Sequence, residues 1–278
     1  METVAVNGEV RRLEELRLGD FLQSFFFGAG FFETFLLTRG EPGFLARHLA
    51  RLQASLHAHA ARVRAPPVAV LTEAAVRDSL RRCLAADARL GAAFTGVGKL
   101  VAGDGQLLLS FRALAPEHEP TLREGQALDV LEPHGYRRGD PLARHKSLSY
   151  LRQYTQLGRG TVFANEAGEL CEAPNGNLFF LVEDALVTPP VDAPCLPGIV
   201  RAVLLEQGRL GELPILERPV PGGPGASVRG CVLTNSVSLA LAVPRLLGRE
   251  LPDSLELARR VRALVEARAH AEAHPPQP

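Results

Sequence analysis

The stretch NEAGELCEAPNGNLFFL, residues 165–181, decides how the rest of the chain is read. Glu172 lies between apolar Leu170 and the Ala173-Pro174 step, a setting that half buries it. Carboxylates are rarely buried without a partner. Glu172 therefore calls for one: a protonated ring nitrogen of a bound group, or the ordinary alternative, a nearby arginine. Asn175, Gly176 and Asn177 predict a turn, and Leu178–Val182 a short strand.

Working outward, the next segment is HKSLSYL at 145–151. It follows a Gly/Arg/Pro loop from Pro133 to Arg144 and opens a stretch, Ser147 to Leu157, that predicts an amphipathic helix. By position alone, Lys146 is an ordinary solvated lysine. A lysine that bonds an aldehyde needs a lowered pKa, from burial or a cationic neighbour, and Arg144 and His145 are adjacent. On the other side, Leu196-Pro197-Gly198 opens a helix predicted over Ile199–Gln207. The free N–H groups and positive dipole end of a helix N-terminus suit a phosphate. Thr234-Asn235-Ser236 follows a strand at Cys231–Thr234 and offers two hydroxyls and turn amides. Arg51, in a helix predicted from His48 to His59, is a charged fork for an anion or a plain surface arginine.

Local signals place the remaining elements. VAVNGEV alternates apolar residues about Asn7-Gly8 and predicts a hairpin. Phe31–Leu37 predicts a buried strand, with Arg39-Gly40 turning into the next one. Phe25–Phe27 is read as core in preference to an interface. A second helix spans Thr72–Leu84 with Thr72 as N-cap. Lys99–Ala102 and Leu107–Phe111 form another hairpin about Gly103-Asp104-Gly105. The polar run 115–120 contains two prolines, which exclude a continuing helix or a central strand. Strands follow at Ala127–Leu131, Thr161–Ala164 and Ala185–Val187, and a helix at Leu255–His270 with Ser254 as N-cap. The pattern is α+β in two parts: a small domain over 1–115, a linker over 116–121, a larger domain over 122–270, and a disordered tail over 271–278.

Composition narrows the function. Lys+Arg and Asp+Glu each number 31, so the formal charge is zero. Nucleic acid and membrane surfaces require clustered positive charge, whereas Arg77, Arg81, Arg82 and Arg89 read as a solvated helix face. Cys83, Cys171, Cys195 and Cys231 show no C-x-x-C spacing, so no metal site is expected. METVAVNGEV carries neither a basic nor an apolar leader region, and a cytoplasmic protein with reduced thiols is expected.

Taken in order, GAGFFETF at 28–35, HLARL at 48–52, HKSLSYL, NEAGELCEAPNGNLFFL, TPP…CLPGIVR at 188–201 and LTNSVSLALAV at 233–243 resemble the class IV (fold-type IV) pyridoxal-phosphate-dependent aminotransferases. That family includes branched-chain and D-amino-acid aminotransferases and 4-amino-4-deoxychorismate lyases. The resemblance implies a two-domain fold with a small α/β N-terminal domain and a larger pseudo-barrel C-terminal domain. It also implies pyridoxal 5'-phosphate as cofactor, a small-molecule amine as substrate, and a homodimer. Lys146 matches the lysine that bonds the cofactor aldehyde and serves as catalytic base. Glu172 matches the acid on the pyridine nitrogen, and Arg51 the phosphate-binding arginine. Ile199 and Val200 match residues whose amides cup the phosphate. Ser236 matches a second phosphate contact, with Asn235 beside it, and Tyr150 falls near a residue that meets the ring hydroxyl in some members. Ala29, Ser149 and Val200 depart from the Asp, Asn and Thr common in the family, which bears on the substrate side more than on the cofactor. The short chain and the Lys-Ser-Leu-Ser-Tyr-Leu run favour the lyase, giving 4-aminobenzoate and pyruvate for folate biosynthesis. The alternatives are a transaminase of branched-chain or D-amino acids and a non-catalytic PLP-binding partner protein.

Overall fold

The computed structural model describes residues 2–87, 90, 91, 93–222 and 228–273. The chain forms two compact units. One comprises residues 1–114 together with Lys146–Tyr150, and the other 115–145 together with 151–278.

The first unit is built on hairpins. Strands β1 (Thr3–Val6) and β2 (Glu9–Arg12) turn at Asn7-Gly8, both at positive φ. This is the mirror-image turn whose twist matches paired strands. A short helix α1 (Leu22–Phe27) precedes β3 (Phe31–Thr38), which turns at Arg39-Gly40 into β4 (Glu41–Pro42). Helices α2 (Leu45–Ala58) and α3 (Glu73–Ala86) come next; Thr72 caps α3 by accepting the Ala75 N–H. Strands β5 (Gly96–Gly103) and β6 (Gln106–Arg112) complete the unit. Their turn is narrower than the three residues expected, because Gly103 pairs with Gln106 and only Asp104-Gly105 remain between them. Among the described residues these strands form one antiparallel sheet in the order β2-β1-β6-β5-β3-β4. Phe31, Phe35 and Leu37 of β3 pack with Leu45, Leu49, Leu52 and Leu56 of α2. The first set has period two and the second three to four, so one face of each element is buried.

Two expectations for this unit fail. Phe25, Phe26 and Phe27 are 65%, 63% and 70% exposed and are not core. The six-residue α1 ends at Gly28 in the left-handed conformation, too short to carry three consecutive rings onto one buried face. The helix expected over Ser147–Leu157 forms only from Leu151 to Gln156, and its first residues are not helical. Lys146 C=O accepts the Phe32 N–H and Leu148 N–H donates to Gly30, so the segment pairs with the start of β3. It packs with the first unit, although its place in the sequence assigns it to the second.

The second unit opens with a helix, α4 (His118–Glu124), within the proline-containing stretch read as a linker. Pro120 sits in its first turn, where a missing N–H costs nothing. Next come β7 (Val130–Pro133), α5 (Leu151–Gln156), β8 (Thr161–Ala164), β9 (Glu172–Ala173), β10 (Gly176–Val182), β11 (Ala185–Thr188) and α6 (Ile199–Gln207). The chain continues through β12 (Arg209–Leu210), β13 (Leu213–Glu217), β14 (Val228–Thr234), β15 (Leu241–Ala242), β16 (Arg245–Leu246), β17 (Arg249–Glu250) and α7 (Ser254–Ala273). The main sheet runs β12-β13-β11-β10-β14-β15, with β9 paired to β10. Strand β10 is central, which is why Phe179 and Phe180, of opposite parity, are both wholly buried. Each contributes roughly 1.5–3 kcal/mol of apolar burial. Helix α7 includes residues 271–273, so the expected disorder does not hold there; residues 274–278 and Arg89 lie outside the described residues.

Candidate functional site

In the first unit, β3 places Glu33 at the same parity as Phe31, Phe35 and Leu37, and so on the face covered by α2. His48 and Arg51 are three residues apart on α2, on one side of the helix. Arg51 grips Glu33 with both ends of its fork, Nε to Oε1 at 2.8 Å and an Nη to Oε2 at 2.6 Å. His48 Nδ1 lies 2.6 Å from Glu33 Oε2. Burial alone would raise the Glu33 pKa. The Arg51 charge and the hydrogen bonds from Arg51 and His48 outweigh it and bring the pKa down to about 2. Glu33 is then an acceptor only, so His48 Nδ1 carries the proton. The His48 pKa is lowered, chiefly by burial, with Arg51 and Lys146 adding in the same direction. Arg51 is thus fixed from behind by a buried carboxylate.

Phe32, of the opposite parity, meets Lys146. The Lys146 Nζ lies 4.5 Å from the Phe32 ring centre and 5.1 Å from that of Tyr150. Lys99 Nζ lies 4.6 Å from the same Phe32 ring, and burial lowers its pKa. The two rings hold the Lys146 amine by cation–π contact, and Tyr150 stands edge-on to Phe32.

In the second unit, antiparallel register sets Glu172, Asn177 and Thr234 side by side across β9, β10 and β14. Glu172 is 8% exposed. Its Oε2 accepts the Leu196 N–H at 2.9 Å and lies 3.4 Å from Asn177 Nδ2. Asn177 also donates to Leu196 C=O at 2.8 Å. Among the described residues Glu172 has no arginine partner; His134 Nε2 stands 3.6 Å from its Oε1. The same contacts hold the loop that opens α6. Gly198 is the N-cap of α6 and has no side chain to cap that end. The amides of Ile199 and Val200 therefore stand in the first turn, which has no intrahelical acceptors. Arg201 is committed to structure, pairing with Glu217 at 2.6 Å and with Pro189 C=O. Asn235 Oδ1 accepts the N–H groups of Val237 and Ser238, so its role is to shape the turn that presents Ser236.

A Cβ at Gly198 would come within 2.0 Å of Asn177 Oδ1. Gly198→Ala is therefore expected to push Asn177 off Glu172 and Leu196 and to cost about 1–3 kcal/mol. Thermal denaturation reads the loss, and an unchanged midpoint would show that this packing carries no weight.

Glu33, His48, Lys99 and His134 escaped the sequence reading. An acid within FFETF was the available signal, since a strand of that composition buries every second residue. All four cysteines are buried and free, and burial pushes each thiol pKa up, which keeps them protonated. No helix among the described residues is long and apolar enough to cross a membrane.

The family model for amino-transferase class IV matches residues 30–246. Aminodeoxychorismate lyase of Bacillus subtilis (strain 168) is 25% identical over 218 residues, 74% of this chain and 73% of that protein. A hypothetical aminotransferase from Mycobacterium tuberculosis in its PLP-bound form superposes with a TM-score of 0.80 at 23% identity, over 97% of this chain and 99% of that one. Branched-chain amino acid aminotransferase from Escherichia coli superposes with a TM-score of 0.72 at 15% identity, over 94% and 92%. At such identities the structural likenesses show a shared fold.

Proposed function

Because the chain belongs to the amino-transferase class IV family, we propose that it is a pyridoxal-phosphate-dependent lyase that converts 4-amino-4-deoxychorismate to 4-aminobenzoate and pyruvate. The observation that carries this choice is the likeness to the Bacillus aminodeoxychorismate lyase over about three quarters of both chains. The reading places the enzyme in the cytoplasm, in folate biosynthesis, as a homodimer. The exposed rings of Phe25–Phe27 support a dimer, being an apolar cluster of the kind that marks interaction surfaces.

The residues present suit the cofactor. The uncapped first turn of α6 is a natural phosphate seat, and Glu172 is a buried acid with a carboxylate oxygen facing a hydrogen-bond donor. When bound, the cofactor supplies an electron sink for the bond broken next to the substrate nitrogen. The resemblance gives the phosphate to Arg51, the amides of Ile199 and Val200, and Ser236, which would hold it. Glu172 would accept the hydrogen bond from the cofactor's ring N–H. Lys146 Nζ would be the amine that bonds the cofactor aldehyde and, once free, the base placed to take up the proton from the substrate carbon that bears nitrogen. Tyr150, against Phe32, orients the Lys146 amine.

A transaminase acting on branched-chain or D-amino acids is the second reading, supported by fold neighbours that are aminotransferases. One comparison of substrates separates the two. The lyase releases 4-aminobenzoate and pyruvate from aminodeoxychorismate. Fast amino exchange between a branched-chain or D-amino acid and 2-oxoglutarate, with no 4-aminobenzoate formed, would give the case to the transaminase.

A further inference from the structure

His134 follows β7 and is almost wholly enclosed, with 2% of its side chain exposed. Its ring stands edge-on to Phe163, with centroids 5.3 Å apart. Its Nδ1 accepts the Tyr136 N–H at 3.1 Å. An imidazole nitrogen that accepts carries no proton, so the proton of the neutral ring is on Nε2. That Nε2 is a buried polar atom with no hydrogen-bond partner among the described residues. It stands 3.6 Å from Glu172 Oε1, just beyond hydrogen-bond reach. Buried donors are rarely left unmade, because each costs free energy. The two oxygens of Glu172 are thus handled differently: Oε2 is tied to the Leu196 amide and Asn177, while Oε1 stands 3.6 Å from His134 Nε2.

We propose that His134 is a positioning residue that acts through Glu172: its Nε2–H, aimed by the Tyr136 amide, fixes the direction of the carboxylate that would receive the cofactor's ring nitrogen. This rests on the pyridoxal-phosphate reading above. A carboxylate held in one direction meets a ring N–H in line, which is the geometry a strong hydrogen bond needs. With the 3.6 Å gap closed, the His134 N–H would keep the carboxylate from rotating about the bonds made at Oε2.

Three substitutions test the role in the full-length protein. His134→Phe keeps an aromatic ring against Phe163 and removes the donor. His134→Asn keeps an amide too short to reach Oε1. His134→Gln keeps a donor near the Nε2 position. Two readouts apply: titration of the cofactor-free protein with pyridoxal phosphate, and the visible absorption band of the bound cofactor. We expect the Phe and Asn variants to bind the cofactor about tenfold more weakly with a displaced band, and the Gln variant to stay within about twofold of the parent with the band restored. Should the Phe variant fail to fold by thermal denaturation, the Asn and Gln pair carries the same comparison. Equal losses in all three variants would make His134 a packing residue, and parental affinity and band in the Phe and Asn variants would remove any role; either result overturns the proposal while leaving the cofactor reading intact. A parent protein that takes up no pyridoxal phosphate overturns that reading and the proposal together.

Discussion

Replacing Lys146 with alanine is expected to abolish turnover while leaving the cofactor able to bind. In the proposed reaction the Lys146 amine both bonds the cofactor aldehyde and carries the proton, and neither Phe32 nor Tyr150, the groups that hold it, can substitute. Proton transfer by a positioned side chain is worth about 10²–10⁴ in rate, and loss of the covalent link adds to that. The phosphate contacts assigned to Arg51, Ile199, Val200 and Ser236 do not involve Lys146, so noncovalent uptake should persist. Two measurements check this. Borohydride reduction should fix the cofactor to Lys146 in the parent and leave the variant unlabelled, and single-turnover rates should fall by about 10⁴ or more. Turnover by the variant at the parental rate would sink the assignment.

Glu33→Ala is expected to cause the largest loss of stability. The substitution leaves the Arg51 guanidinium and the His48 N–H without their carboxylate, and both groups are buried or nearly so. Breaking a buried ion pair from one side costs about 3–5 kcal/mol, which lowers the melting temperature by roughly 10 °C. The sign of the pH dependence follows from the same contacts. The Glu33 pKa is lowered from 4.5 to about 2 in the folded protein. The unfolded chain therefore takes up a proton that the folded chain refuses as pH falls below 4.5. Stability from Glu33 is complete above that value and is lost toward pH 2, by about 3 kcal/mol. His48, lowered from 6.5 by burial, works in the same direction and begins the decline below that pH. Glu33→Gln should flatten the acid limb below pH 4.5. Melting curves for the parent and the alanine variant that superpose from pH 7 to pH 3 would remove the triad from any structural account.

The separate parts of the candidate site were legible to different degrees. The opening of α6 was readable because Pro197-Gly198 determines local backbone conformation, and the observed helix spans the Ile199–Gln207 that the pattern predicts. Glu172 was readable as a buried acid, but its partners were not. Leu196 and Asn177 reach it through strand register and His134 through the approach of β7 and β8, and none of these leaves a trace in the sequence around residue 172. For Lys146 the adjacent Arg144 and His145 were the visible cations. The structure instead supplies Phe32 and Tyr150 as its aromatic contacts, with Lys99 on the same Phe32 ring.

Turns, caps and alternation were settled by the sequence alone. Asn7-Gly8 and Arg39-Gly40 turn where they were expected, the turn about Asp104-Gly105 falls in the expected place though one residue narrower, and Thr72 caps α3. These are choices made within about four residues, where sterics and one hydrogen bond dominate. Only tertiary structure decided that Ser147 and Leu148, read as the start of a helix, join Lys146 in pairing with Gly30–Phe32, more than a hundred residues earlier. It also decided that Phe25–Phe27 faces outward, that Arg51 is braced by Glu33 and His48, and that His134 is turned toward Glu172. In each case the energy comes from a partner distant along the chain, and local propensity is too weak to oppose it.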